Sequence, residues 1–160
     1  SAAGKYPLES VRMMATIAER AEQTIDYNEN FELKMKGKSS SVTEVISQAV
    51  VQSSLQLNAK AIITPTESGV TARMVSKYRP KAQIIAVTPN ERTLKKMTLL
   101  RGVTPIKGEY VTSTDDMFNS AIQSSLRSNL INKGDFVVIS AGIPSGKAGA
   151  TNLIKIHQVN

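Results

Sequence analysis

Ala61-Ile62-Ile63-Thr64-Pro65-Thr66-Glu67-Ser68-Gly69-Val70-Thr71 is the stretch on which the reading of the fold turns. It opens on a short unbroken apolar run, the pattern of a strand buried on both faces. A turn rich in hydroxyls follows over residues 64–69. Val70–Lys77 then reads as a short helix, closed by Tyr78-Arg79-Pro80. The unit repeats at once: Ile84-Ile85-Ala86-Val87 is a second strand, Thr88-Pro89-Asn90 a helix start, and residues 91–99 a helix. Strand, helix, strand, helix at this spacing means crossovers and a parallel sheet covered on both faces.

The same reasoning extends in both directions. Upstream, Pro7 suits a first helical position, and Leu8, Val11, Met14, Ile17, Ala18 and Ala21 recur at helical spacing, predicting a helix over residues 7–24. Residues 26–38 are polar, with Phe31, Leu33 and Met35 alternating, and read as a linker with a short extended piece. Ser41-Val42-Thr43-Glu44 is a capping box opening a helix that ends near Asn58. Downstream, residues 103–106 form a third strand. Ser113-Thr114-Asp115-Asp116 starts a helix with Met117, Ala121, Ile122, Leu126 and Leu130 inward, and Phe136-Val137-Val138-Ile139 is a fourth strand. A Gly-rich stretch over 140–150 precedes a last strand over 152–159. So short a connection has no room for a crossover helix, so the last pair should be antiparallel. The expected fold is a three-layer α/β sandwich. Its five-stranded, mostly parallel sheet has an antiparallel C-terminal edge strand and helices on both faces.

Composition narrows the function classes. Hydrophobic residues are 41% and charged residues 21% of 160, ordinary usage that argues against disorder. There is no cysteine and only one histidine, His157, so thiol chemistry and a multi-histidine metal site within one chain are excluded. No apolar run approaches the ~20 residues of a membrane helix, and no basic-then-apolar leader is visible. The expectation is a cytoplasmic protein with no membrane partner. Net charge is +7, with 20 basic against 13 acidic residues. Within residues 73–101 lie Arg73, Lys77, Arg79, Lys81, Arg92, Lys95, Lys96 and Arg101, with Glu91 the one acid. Such a run fits nucleic acid, a phosphorylated ligand or a merely solvated surface. No recognition-helix, RNP or zinc signature accompanies it, and aromatics are only 4%, so no nucleic acid is expected.

Two constellations carry chemistry. Thr66, Glu67, Ser68, Gly69 and Thr71 lie where a strand ends and a helix begins. There, backbone N–H groups, hydroxyls and a glycine for close approach form a cradle for an anion, with phosphate the natural guest. The same residue types also cap helices that bind nothing. The second is Ala141-Gly142-Ile143-Pro144-Ser145-Gly146-Lys147-Ala148-Gly149. It falls short of a phosphate-binding P-loop. Ala141 stands where the first glycine belongs, Ala148 replaces the Mg²⁺-binding hydroxyl, and a strand rather than a helix follows. It reads either as a plain hairpin loop or as a Gly-rich loop whose Lys147 can close over an anion. His157 reads as structural, and no carboxylate pair suits acid–base catalysis.

These motifs resemble the C-terminal third of the pyruvate kinase family. Ser1-Ala2-Ala3-Gly4-Lys5-Tyr6-Pro7 is similar to the tail of a family motif whose preceding Gly-Glu is missing here. Thr66-Glu67-Ser68-Gly69, Thr71-Ala72-Arg73 and Ser76-Lys77-Tyr78-Arg79-Pro80 match a second signature, continued by Ile84-Ile85-Ala86-Val87-Thr88 and Gly102-Val103. Gly134-Asp135, Gly142, Gly149 and Thr151-Asn152 match the ending. The resemblance runs in order along nearly the whole chain and is weakest over 26–40 and 107–114.

The resemblance implies that the chain is a fragment. Residues 1–24 would be the final helix of a TIM barrel, and 25–160 the effector-binding C-terminal domain. In the parent enzyme, phosphate passes from phosphoenolpyruvate to ADP on a barrel that holds Mg²⁺ and K⁺. Those ligands would lie upstream, so this chain would have no catalytic residue, metal or cofactor of its own. The domain would bind a phosphorylated effector at Thr66, Glu67, Ser68, Gly69 and Thr71, closed over by Ser145, Gly146, Lys147 and Gly149. Glu67 stands where some bisphosphate-activated members carry lysine. A carboxylate repels a second phosphate, so a sugar monophosphate or AMP is expected over fructose 1,6-bisphosphate. Homo-oligomerisation, as a tetramer of the parent, is implied too. The alternative is a self-standing phosphate-binding or interaction module sharing this domain.

Overall fold

The computed structural model describes residues 4–35, 41–111, 113–143 and 151–160. Six helices and five strands follow one another as α1 (Pro7–Gln23), α2 (Tyr27–Met35), α3 (Val42–Gln56), β1 (Ala61–Pro65), α4 (Val70–Lys77), β2 (Gln83–Thr88), α5 (Glu91–Met97), β3 (Val103–Lys107), α6 (Thr114–Arg127), β4 (Phe136–Ala141) and β5 (Leu153–Gln158). The strands form one sheet in the order β3-β2-β1-β4-β5. Every pair is parallel except β4 with β5, which is antiparallel as the short connection requires.

Side chains alternate across the sheet and build two cores. On one face Ile62, Ile84, Ala86 and Val138 meet Val50 and Val51 of α3, Ala72 and Val75 of α4, and Met97 of α5. On the other, Ile63, Ile85, Val87, Val137 and Ile139 meet Phe118, Ala121 and Ile122 of α6. The handedness of crossovers explains this division. The path β1→β2→β3 steps one way along the sheet and keeps α4 and α5 on one face. The return to β4 steps the other way and places α6 opposite.

One element differs from expectation. Residues 27–35 are a helix rather than an extended linker. The Asp26 carboxylate accepts from Asn28 N at 2.9 Å and Glu29 N at 3.0 Å, so it serves as an N-cap. The alternation of Phe31, Leu33 and Met35 is incidental. Phe31 is buried, edge-on to Tyr78 at 6.3 Å between ring centroids, while Leu33 is 53% exposed. Helix α1 forms as its periodicity predicts, yet none of its residues is buried. Its stripe of Leu8, Val11, Met14 and Ile17 faces outward.

The junction of β1 and α4 is held by Gly69, whose φ of +82° lies in the left-handed region. A Cβ there would also stand 3.1 Å from Met97 Cγ and 3.2 Å from its sulfur. Both conformation and space therefore select glycine.

Burial sets the expected ranking of stability effects. In urea unfolding, Ile62→Ala should cost about 2–5 kcal/mol through the cavity it leaves. Ile17→Ala, on an unpacked helix, should stay within about 0.5 kcal/mol. Gly69→Ala should cost at least ~1–2 kcal/mol through its left-handed backbone.

Candidate anion-binding site

β1 is where the strand order reverses. The chain leaves its C-terminal end toward β2 and β3, then returns to pair β4 against its other edge, with Ile63 beside Ile139. In open α/β sheets, such a switch point opens a crevice between the loops leaving the two strands. Here those loops are residues 66–69, entering α4, and residues 142–152, joining β4 to β5. They are the two segments singled out from sequence.

Five predicted residues stand in the first loop and the first turn of α4, with different roles. The ladder continues past β1 through Thr66 N, which donates to Val87 O at 2.9 Å. Thr66 Oγ1 accepts from Gly69 N at 3.0 Å and so tightens the turn, while its own proton remains to be donated outward. Ser68 and Glu67 are exposed. Glu67 is fixed at its backbone, its carbonyl accepting from Thr93 Oγ1 at 2.8 Å, and its carboxylate lies 3.5 Å from the Tyr110 hydroxyl. Thr71 is buried, and its hydroxyl meets that of Thr151 at 2.8 Å. It joins the two loops rather than facing solvent.

The electrostatics come from the backbone. Intrahelical bonding in α4 begins with Arg73 N donating to Gly69 O, so the amides of Val70, Thr71 and Ala72 have no acceptor within the helix. The first turn of α4 has no side-chain cap. Ser41, Asn90 and Ser113 supply one to α3, α5 and α6. The end of α4 thus offers donors and the positive pole of the helix, roughly half a charge.

Ser145, Gly146, Lys147 and Gly149, predicted for the second loop, lie outside the described residues. The neck of that loop is described. Asn152 Oδ1 accepts from Ile143 N at 2.9 Å, its Nδ2 donates to Ile143 O at 2.6 Å, and its backbone N donates to Ala141 O at 3.1 Å. Asn152 thus closes the base of the loop. Because β4 and β5 are antiparallel neighbours, the loop joins strand to strand, which is not the context of a P-loop.

Sequence reasoning from the residues alone missed Asn152, Thr151, Thr93 and Tyr110. Thr151-Asn152 drew notice only as part of the family resemblance. Thr151, Thr93 and Tyr110 reach residues 67–71 through contacts across distant segments that no local pattern announces, and Asn152 acts within its own loop. The basic stretch forms no single track: Lys77 pairs with Glu44 at 2.7 Å, and Lys107, just beyond it, pairs with Glu91 at 2.6 Å. His157 sits half-buried in β5 opposite Val137. Among the described residues there is no group of three His, Cys, Asp or Glu side chains that could hold a metal ion. No helix among them is long and apolar enough to cross a membrane.

Comparison with known proteins places this architecture. Residues 44–157 match the family model described as pyruvate kinase, alpha/beta domain. The chain is 43% identical over 160 residues to a pyruvate kinase of Geobacillus stearothermophilus, covering 100% of this chain and 27% of that protein. It is 44% identical over 159 residues to one of Bacillus licheniformis, covering 99% of this chain and 27% of the relative. For one of Clostridium acetobutylicum the identity is 41% over 159 residues, covering 99% and 34%. The chain thus spans about a third or less of the length of these relatives, and with residues 44–157 matched by the family model it belongs to the pyruvate kinase family, as that family's alpha/beta domain.

Proposed function

We propose that this chain is the regulatory part of a pyruvate kinase, and that it binds the phosphate of a small effector between the β1–α4 turn and the β4–β5 loop. The uncapped first turn of α4 at the switch point carries this reading. Phosphate oxygens would accept from the free amides at 70–72 and from the hydroxyls of Thr66 and Ser68, with Gly69 allowing close approach. Ser145, Gly146, Lys147 and Gly149 would close over the ligand, Lys147 adding the one full positive charge. Glu67, exposed beside the cradle, would repel a second phosphate and accept a sugar hydroxyl. It therefore favours a sugar monophosphate or AMP over fructose 1,6-bisphosphate.

Residues 1–24 would belong to the catalytic barrel and 25–160 to the effector domain. The unpacked stripe of α1 supports that division, because an apolar face normally has a partner. Phosphoryl transfer from phosphoenolpyruvate to ADP, with its Mg²⁺ and K⁺, would be the work of the barrel in a cytoplasmic tetramer, and this chain alone would be silent. Effector binding would act by favouring one arrangement of the two loops, which shifts the packing of domains and subunits.

Calorimetry of the 160-residue chain against ribose 5-phosphate, AMP and fructose 1,6-bisphosphate tests the site. At least one monophosphate should bind, and Ser68→Ala should weaken it by about tenfold, the worth of one hydrogen bond to a charged group. Glu67→Lys should raise affinity for the bisphosphate by about tenfold, since reversing one partly screened charge is worth ~1.4 kcal/mol. Absence of heat with every member of the panel would remove the effector reading. Separately, the chain supplied with phosphoenolpyruvate, ADP, Mg²⁺ and K⁺ should give no pyruvate above buffer; turnover would contradict its silence.

A further inference from the structure

The opposite end of the sheet holds a second concentration of positive charge that the effector reading does not use. A cleft of about 310 Å³ opens beside the N-terminal ends of β2 and β3, lined by Arg79, Lys81, Arg101, Glu22, Tyr27 and Thr104, among others. Lys34 and Lys77 stand beside it. Lys34 Nζ donates to Lys77 O at 2.9 Å, and its pKa is lowered by desolvation and then by the charges of Arg79, Arg101 and Lys77. These cations therefore lie close enough to repel one another. Carboxylates answer only part of that charge. Glu44 takes Lys77 at 2.7 Å, and Glu22 meets Arg101 at 3.5 Å with both side chains largely exposed. Among the described residues Arg79 and Lys81 have no carboxylate partner.

A second observation concerns the backbone. Arg79 follows the C-terminus of α4 with φ of +50°. Glycine or asparagine suits that left-handed position, and a long side chain there is strained. The strained backbone and the repulsion meet in the same residue, at the lip of the same cleft. The left-handed residue that ends α4 thus carries an unpaired guanidinium to the lip of the cleft.

We propose that the cleft bounded by Arg79, Lys81 and Arg101 is a second anion site, taking the di- or triphosphate group of a small molecule. Two guanidinium groups and an ammonium match a multiply charged phosphate chain, with the guanidinium forks each able to hold two oxygens. The cleft lies at the ends of the strands remote from the β1–α4 turn, about 17 Å away along a five-residue strand. The two sites can therefore be filled independently.

Sodium pyrophosphate, titrated into the full chain and followed by backbone amide shifts, tests the proposal. Saturable shifts should appear at residues 79–82 and 101–104. Arg79→Gly removes the charge and the strain together, so it should leave the melting temperature unchanged or higher while weakening pyrophosphate at least tenfold. Lys81→Gln should weaken it severalfold by a different side chain. Both variants should keep the response of residues 66–71 to ribose 5-phosphate, whatever its strength in the parent chain. Shifts confined to 66–71, or pyrophosphate affinity unchanged in both variants, would overturn the second site without bearing on the first. Binding of an acidic peptide but not of pyrophosphate at the cleft would overturn it equally, by identifying a protein surface instead.

Discussion

β1 and β4 are hydrogen-bonded neighbours although two strands and three helices separate them in the chain. That pairing is the constraint the rest of the molecule follows. Parallel strands need crossovers of one hand, so a chain that steps outward to β3 and must return to β1's free edge does so over the opposite face. α6 makes that passage, and the sheet is thereby sealed on both sides. The same return brings the loops after β1 and β4 side by side. The crevice is thus a consequence of topology before any side chain lines it.

What lines it is mostly backbone. Gly69 turns the chain in a conformation that a Cβ would strain, and α4 therefore starts with no side chain to satisfy its first amides. Thr66 and Thr93 hold the turn from within and from α5, and Thr71 ties it to Thr151 just before β5. An anion bound here would meet donors already in place, so little ordering would be required of the protein on this side.

The sheet was legible in the sequence because its signals are local. Ala61-Ile62-Ile63, Ile84-Ile85-Ala86-Val87 and Phe136-Val137-Val138-Ile139 are apolar without alternation, as strands covered on both faces must be. The brevity of the last connection dictated an antiparallel pair. The turn at 66–71 was legible for the same reason: hydroxyls and a glycine stand between a strand and a helix. α2 was obscured by an accidental period of two in Phe31, Leu33 and Met35, although Asp26 three residues before Glu29 was the true signal. Thr151 was not legible as a site residue, because its work is to join segments far apart in the chain, and Asn152 was not because its bonds to Ile143 form only once β4 and β5 pair. Neither was the crowding of Lys34 with Arg79 and Arg101, since Lys34 lies well outside the basic stretch.

Hydrogen exchange of the α4 amides with and without saturating ribose 5-phosphate tests the central claim most directly. Val70, Thr71 and Ala72 should each exchange more slowly when the sugar phosphate is present, since these N–H groups would be donating to its oxygens. Unchanged exchange at all three, under conditions where the ligand is bound elsewhere on the chain, would show that this turn is a helix cap and not a receptor.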